Sequence, residues 1–231
     1  MRDYIIMTDS CCDLSQQEVE ELELTVLPLS FTIEGKTLLN TPDHADMSPE
    51  EFFAKIAAGA DCTTAAVNVG QFTDAMEKVL QEGKDILCVC FSSALSTTYQ
   101  SACIAAESVR ARYPEGRIRV IDSLSASLGQ GLLMYLTARK KLREAPTMDE
   151  LGDWVEANKL HICHWFTVND LNYLKKGGRV SAATAFVGTM LSIKPIMHTS
   201  DEGKLTVVGK ARGRKSSLNT VSYTHLRAHE P

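Results

Sequence analysis

The feature that most constrains this chain is an alternation of short apolar runs with segments of helical periodicity. Residues 4–7, 85–91 and 117–121 read as strands, and between them apolar residues recur at helical spacing, as in Phe72, Ala75, Met76, Val79 and Leu80. Parallel strands need a crossover and a helix supplies it, so the pattern predicts βαβ units around a mainly parallel sheet. Ser48-Pro49-Glu50-Glu51 combines an N-cap serine, a proline at the first helical position and a glutamate three residues after the cap, which predicts a helix to about Ala58. Thr147-Met148-Asp149-Glu150 repeats the box without the proline and opens a helix over 148–158. Gly83 closes the helix that carries the Phe72 face. Residues 25–32 and 36–39 flank Glu34-Gly35 and read as a hairpin excursion at the edge.

Beyond residue 159 the pattern changes. A strand over 160–168, a short helix to Lys175, a loop at Lys176-Gly177-Gly178-Arg179, a helix over 181–191, a strand over 193–197 and a hairpin turn at Asp201-Glu202-Gly203 are predicted. The fold class is therefore α/β: an N-terminal domain over 1–159 with a mainly parallel sheet flanked by helices, and a second, mixed α/β domain over 160–220 that reads as C-terminally truncated. Residues 221–231 show neither periodicity nor a capped end and are expected to be a non-native tail.

Composition narrows the function. A net charge of -5 without a basic stripe argues against a nucleic-acid-binding surface. No apolar run is long enough to span a bilayer and the chain opens on a strand rather than a signal peptide, so a cytoplasmic location is expected. Seven cysteines, several within apolar segments (Cys88, Cys90, Cys103, Cys163), predict buried free thiols and no disulfides.

The chemistry lies at the strand ends. Residues 4–7 run into Thr8-Asp9-Ser10, residues 85–91 into Ser92-Ser93-Ala94-Leu95-Ser96-Thr97-Thr98, and residues 117–121 into Asp122-Ser123. In a parallel sheet these ends share one edge, where helix N-termini offer unpaired N–H groups. Hydroxyls and N-termini together suit a small anionic head group such as a carboxylate. Taken singly, each of these residues also serves as an N-cap or turn former. Cys88 and Cys90 point to one face of a strand and are expected in the core; His161 and His164 are expected to be structural. Gly129-Gln130-Gly131 lacks the third glycine of a dinucleotide fingerprint and lies in a helical pattern, no Walker A loop or Gly-x-Ser-x-Gly elbow is present, and Lys175 to Arg179 reads as a solvated turn.

Several ordered motifs resemble the DegV family: Thr8-Asp9-Ser10; Thr64-Ala65-Ala66-Val67-Asn68-Val69-Gly70-Gln71-Phe72; Ser92-Ser93-Ala94-Leu95-Ser96-Thr97-Thr98-Tyr99-Gln100-Ser101-Ala102; Val120-Ile121-Asp122-Ser123; Leu171-Asn172-Tyr173-Leu174-Lys175-Lys176-Gly177-Gly178-Arg179; and Ile193-Lys194-Pro195-Ile196. The resemblance implies a two-domain α/β carrier that encloses a fatty acid in an apolar tunnel and presents it to a separate fatty acid kinase. Catalysis, nucleotide and metal would belong to that partner, and the bound lipid is a ligand rather than a cofactor. It assigns the carboxylate to Thr64 and Ser96, with Ser93 as a neighbour on the same loop. Two departures from the family pattern touch this site: Ala65-Ala66-Val67-Asn68 replaces Ser-Gln-Pro-Ser, and Thr97 stands where glycine is usual. The resemblance further implies a final segment with a His-Thr-Gly motif, which this chain does not carry. The competing readings are a serine hydrolase or acyltransferase using Ser93 or Ser96 with a histidine such as His164 or His198, and a small-anion sensor.

Overall fold

A computed structural model describes residues 2–180 and 192–227; the helix predicted over 181–191 lies outside the described residues. Four parallel strands form the central sheet: β1 (Tyr4–Asp9), β2 (Leu24–Leu27), β6 (Asp85–Cys90) and β7 (Ile118–Asp122), in the order β2-β1-β6-β7. Registers such as Ile6↔Leu24, Ile6↔Leu87 and Cys88↔Val120 hold it together.

Every residue of β6 is buried because both faces of the sheet are covered. Period two sends Leu87 and Val89 to one face, where they pack with Leu133 and Met134 of α5 (Ser127–Glu144) and Leu151 and Val155 of α6 (Met148–Asn158). Ile86, Cys88 and Cys90 go to the other, against Phe72 and Met76 of α3 (Val69–Gln81) and Ala102, Ala105 and Ala106 of α4 (Thr98–Arg112). Cys88 and Cys90 are core residues with sulfurs 3.6 Å apart. All seven cysteines are free thiols.

The local signals read from the sequence act as physical chemistry requires. Ser48 caps α2 (Pro49–Ala57) by accepting from Glu51 N, and Thr147 and Glu150 form a reciprocal capping box on α6. Glu34 (φ 50°) and Gly35 (φ 76°) both turn through the left-handed region, joining β3 (Leu29–Ile33) to β4 (Lys36–Asn40). The run over 25–32 is not one strand. Pro28 has no N–H to give a ladder, so the chain leaves the parallel sheet after β2 and begins a second sheet with β3. That sheet is antiparallel, in the order β4-β3-β5, and its third strand, β5 (Cys62–Ala65), pairs Thr64 with Phe31.

A third, antiparallel sheet joins β8 (Trp165–Phe166), β9 (Ile193–Thr199) and β10 (Leu205–Arg212) in the order β10-β9-β8. The strand expected over 160–168 shrinks to β8 behind a turn of 3-10 helix at Lys159–His161. β8 pairs with β9 at His198 and Met197, next to the point where β9 turns back into β10. Gly203 (φ 74°) sits in that turn, and its carbonyl accepts from Ser92 Oγ at 2.8 Å, which ties the third sheet to the end of β6. α7 (Asn172–Lys176) precedes the Gly177-Gly178 turn, and α8 (Arg214–Arg227) continues through the part of the C-terminal stretch in which no periodicity is visible.

Gly131 marks a close approach: a Cβ there would come within 2.4 Å of the Cys12 carbonyl oxygen. Gly131→Ala is therefore expected to destabilise the fold by about 2 kcal/mol, overpacking outweighing the helix propensity gained. A lowered urea midpoint with an unchanged slope would show it.

Candidate functional site

The strand ends do converge on one edge of the parallel sheet, but most of their hydroxyls are engaged with backbone. Thr8 Oγ1 donates to Val89 O (2.7 Å), Ser92 Oγ to Gly203 O, and Ser123 Oγ accepts from Ser125 N (3.2 Å). These side chains staple turns and neighbouring strands, the role each can play singly.

Asp9, visible in the sequence only as one member of the Thr8-Asp9-Ser10 strand end, holds this edge together. Its carboxyl is wholly buried and accepts from Phe91 N (2.7 Å), Cys11 N (3.1 Å) and Gln130 Nε2 (3.4 Å). Burial pushes its pKa above the ordinary aspartate value against the opposing pull of those donors. Gln130 Nε2 also donates to Thr8 Oγ1 at 3.0 Å. The amide in Gly129-Gln130-Gly131 thus locks α5 to the tip of β1. The visible signal was a lone glutamine between two glycines inside an apolar helix.

Next to this edge lies a cavity of about 580 Å³, within the roughly 300–1,000 Å³ typical of small-ligand sites. Its apolar wall is built by Val26, Leu29, Phe31, Leu39, Phe52 and Phe53, and its polar groups include Ser10, Asn40 and Thr64. The second sheet supplies much of the wall and α2 closes over it, with the Phe52 ring set edge-on to Phe31 at 5.4 Å. Ser10 Oγ accepts from Leu29 N (3.0 Å) and Asn40 Nδ2 (3.4 Å), fixing both strands of the wall to the end of β1. Cys12 also lines the space; burial holds its thiol up at about 12, so it stays protonated and acts as a small apolar surface.

Of the three residues expected to meet a carboxylate, Thr64 lies on the cavity wall, while Ser93 and Ser96 lie on the loop between β6 and α4, outside the lining. Ser96 is half-buried; its hydroxyl accepts from Thr98 N (3.2 Å) and shares a 2.9 Å hydrogen bond with Thr98 Oγ1, closing a turn just ahead of α4. Ser93 is exposed and its N–H donates to Asp122 Oδ1 (3.2 Å). Arg179 is more than part of a solvated turn, since its Nε donates to Leu95 O (3.2 Å) and holds this loop from the side of α7.

The two histidines of the hydrolase reading are engaged with the third sheet. His164 Nδ1 is 3.1 Å from Thr199 Oγ1 and its ring stacks on Phe166, and His198 lies against Trp165. His161 is exposed in the 3-10 turn. Among the described residues there is no group of three or more His, Cys, Asp or Glu that could hold a metal ion, and no helix is long and apolar enough to cross a membrane.

A family described as uncharacterised proteins, DegV family, matches residues 4–229. The chain belongs to the DegV family. A DegV domain-containing protein of Clostridium perfringens is 40% identical over 221 residues, covering 96% of this chain and 75% of that protein. A fatty-acid-binding DegV family protein from Thermus thermophilus superposes with a TM-score of 0.82 at 31% identity, covering 99% of this chain and 78% of the other. A stearic-acid-binding protein from Eubacterium ventriosum gives 0.83 at 27% identity, covering 97% and 76%. The fold alone is shared with the fatty acid kinase B3 protein of Streptococcus pneumoniae, solved with linoleic acid, at a TM-score of 0.81, 22% identity and coverage of 98% and 79%. The mixed α/β architecture read from the sequence is thus that of DegV structures that carry fatty acids.

Proposed function

We propose that this protein binds a long-chain fatty acid in the cytoplasm and presents its carboxylate to a separate kinase that forms the acyl phosphate. The observation that carries the lipid part is the cavity: a largely apolar space of about 580 Å³ with Thr64 on its wall, in a chain 31% identical to a fatty-acid-binding DegV protein. Burial of the acyl chain supplies the affinity, at about 0.8 kcal/mol per methylene before ordering is subtracted. Thr64 holds the head group at the cavity wall, and Ser96, with Ser93 beside it, meets the carboxylate where it extends toward the β6–α4 loop. The kinase step rests on the family resemblance.

Native mass spectrometry of the purified protein, followed by denaturation and identification of the released molecules, tests the lipid part. A fatty acid in stoichiometric amount supports it; a folded, empty protein that takes up no added fatty acid refutes it. Thr64→Val and Ser96→Ala are each expected to weaken retention about tenfold, the loss of one hydrogen bond to a charged group. Ser96→Ala also removes the partner of Thr98 N and Thr98 Oγ1, at about 1 kcal/mol of stability, so Thr64→Val is the cleaner of the two. Unchanged retention in both would remove their assigned role. Acyl phosphate formed only when kinase and ATP are added would support the presentation step; turnover without kinase would overturn it.

A further inference from the structure

The side of α5 that faces away from the core is apolar. Leu128, Leu132, Tyr135, Leu136 and Leu142 are all exposed, Leu128 to 63%, whereas Leu133, Met134 and Ala138 are buried in the core. At 3.6 residues per turn these five side chains, with Arg139 and Arg143, occupy a sector of about 120° along the whole helix. A surface helix normally keeps that sector polar.

The charges around the stripe are ordered. Lys140 and Lys141 are taken up by Glu144 and by the Tyr4 ring. Arg139 lies over the Tyr135 ring, 6.0 Å from its centroid, and Arg143 has no acidic partner among the described residues. At the opposite end Asp13, an exposed residue at the rim of the cavity, accepts from Ser127 Oγ (2.6 Å) at the first residue of the helix. The stripe therefore has an acidic end and a basic end, with Tyr135 and Leu136 midway.

We propose that α5 is a self-complementary surface on which a second copy of this chain packs antiparallel, about a two-fold axis at Tyr135 and Leu136. That axis sets Tyr135 against Leu136 of the second copy, Leu132 against the aliphatic stem of its Arg139, and Leu128 against its Leu142-Arg143 turn. Arg143 of each copy then reaches Asp13 of the other. A two-fold interface requires a surface to match itself, and opposite charges at opposite ends of a symmetric apolar stripe do so. One helix stripe is small beside the roughly 800 Å² per partner of a standard interface, so the dimer is reversible and concentration-dependent. Asp13 also borders the cavity, so Leu136→Glu and Arg143→Asp, at residues outside its lining, are the variants that test the interface apart from ligand binding.

Sedimentation velocity over a rising concentration series tests it, with flotation on phosphatidylglycerol vesicles in parallel. Wild type is expected to move reversibly from monomer to dimer, and Leu136→Glu to stay monomeric with an unchanged urea midpoint. Arg143→Asp and Asp13→Arg should each weaken association about tenfold, and the double reversal should restore it. Restoration excludes misfolding as the cause of either single loss. A wild type that is monomeric throughout, whether or not it floats with the vesicles, overturns the proposal. So does a dimer indifferent to Leu136→Glu, or a double reversal that restores nothing.

Discussion

Asp9→Ala is expected to destabilise the protein by about 3 kcal/mol, because it strands the half-buried N–H groups of Phe91 and Cys11 and removes an acceptor from the buried Gln130 amide. The three partners come from β1's own turn, from the end of β6 and from α5, so the carboxyl joins elements far apart in sequence. Asp9→Asn keeps the side-chain shape and one acceptor, and should lose only about 1 kcal/mol at neutral pH. The two variants also separate the carboxyl's geometry from its charge. Burial raises the Asp9 pKa in the folded state, whereas in the unfolded chain it titrates at about 3.9. Below the unfolded value both states hold the proton and ionisation exerts no effect. As pH climbs from there to the raised folded value, the unfolded state releases its proton first, and the wild type loses stability progressively; above that value the penalty is constant. Asp9→Asn has no such titration. The stability difference between wild type and Asp9→Asn, measured by urea unfolding across acid to neutral pH, should therefore shift in favour of the asparagine variant as pH rises through that window. A difference independent of pH would show that Asp9 keeps an ordinary pKa in the fold.

The elements that were legible in the sequence are those whose cause is local. The β6 run is apolar on both faces because two helical layers cover it, and a continuous buried strand looks the same in sequence as in space. Ser48 and Thr147 announce their helices because a cap needs only four consecutive residues. The Ser15 and Glu18 box on α1 (Gln16–Glu21) and the Asn68 and Gln71 box on α3 are just as local but were not singled out in the sequence, and the second starts α3 ahead of the apolar face that Phe72 opens. β5 was hidden because it pairs with a strand some thirty residues earlier, and the extent of β8 because its pairing partner β9 lies some thirty residues later. The site divides in the same way. Thr64 could be singled out by its motif, but its aromatic neighbours Phe31 and Phe52 reach the cavity from separate elements, and no spacing rule connects them. The hydroxyl-rich strand ends were visible as a set, yet whether a hydroxyl faces a ligand or a carbonyl is decided by backbone tens of residues away, as with Ser92 and Gly203.

That dependence on distant walls makes the cavity the place where a single substitution should change function most. Leu39→Trp is expected to weaken long-chain fatty-acid binding about fifteenfold while leaving the fold intact. Leu39 lines the cavity, yet it is 42% exposed and sits on the outer strand of the second sheet. An indole there can occupy space that a ligand would use without compressing the main core. Its backbone N–H donates to Asp46 Oδ2 at 2.7 Å, a bond the substitution retains. If the indole displaces two methylenes, the lost burial is about 1.6 kcal/mol, which corresponds to that change in dissociation constant. The loss should fall on chain length rather than on head-group recognition, because Thr64 is untouched. Fatty acids shorter by a few carbons should keep nearly their wild-type affinity, so the length profile shifts instead of scaling down uniformly. Displacement of a fluorescent fatty acid by a series of chain lengths would read this directly. A uniform loss would place the effect at the carboxylate, and unchanged binding at every length in a folded variant would mean that the acyl chain runs elsewhere in the molecule.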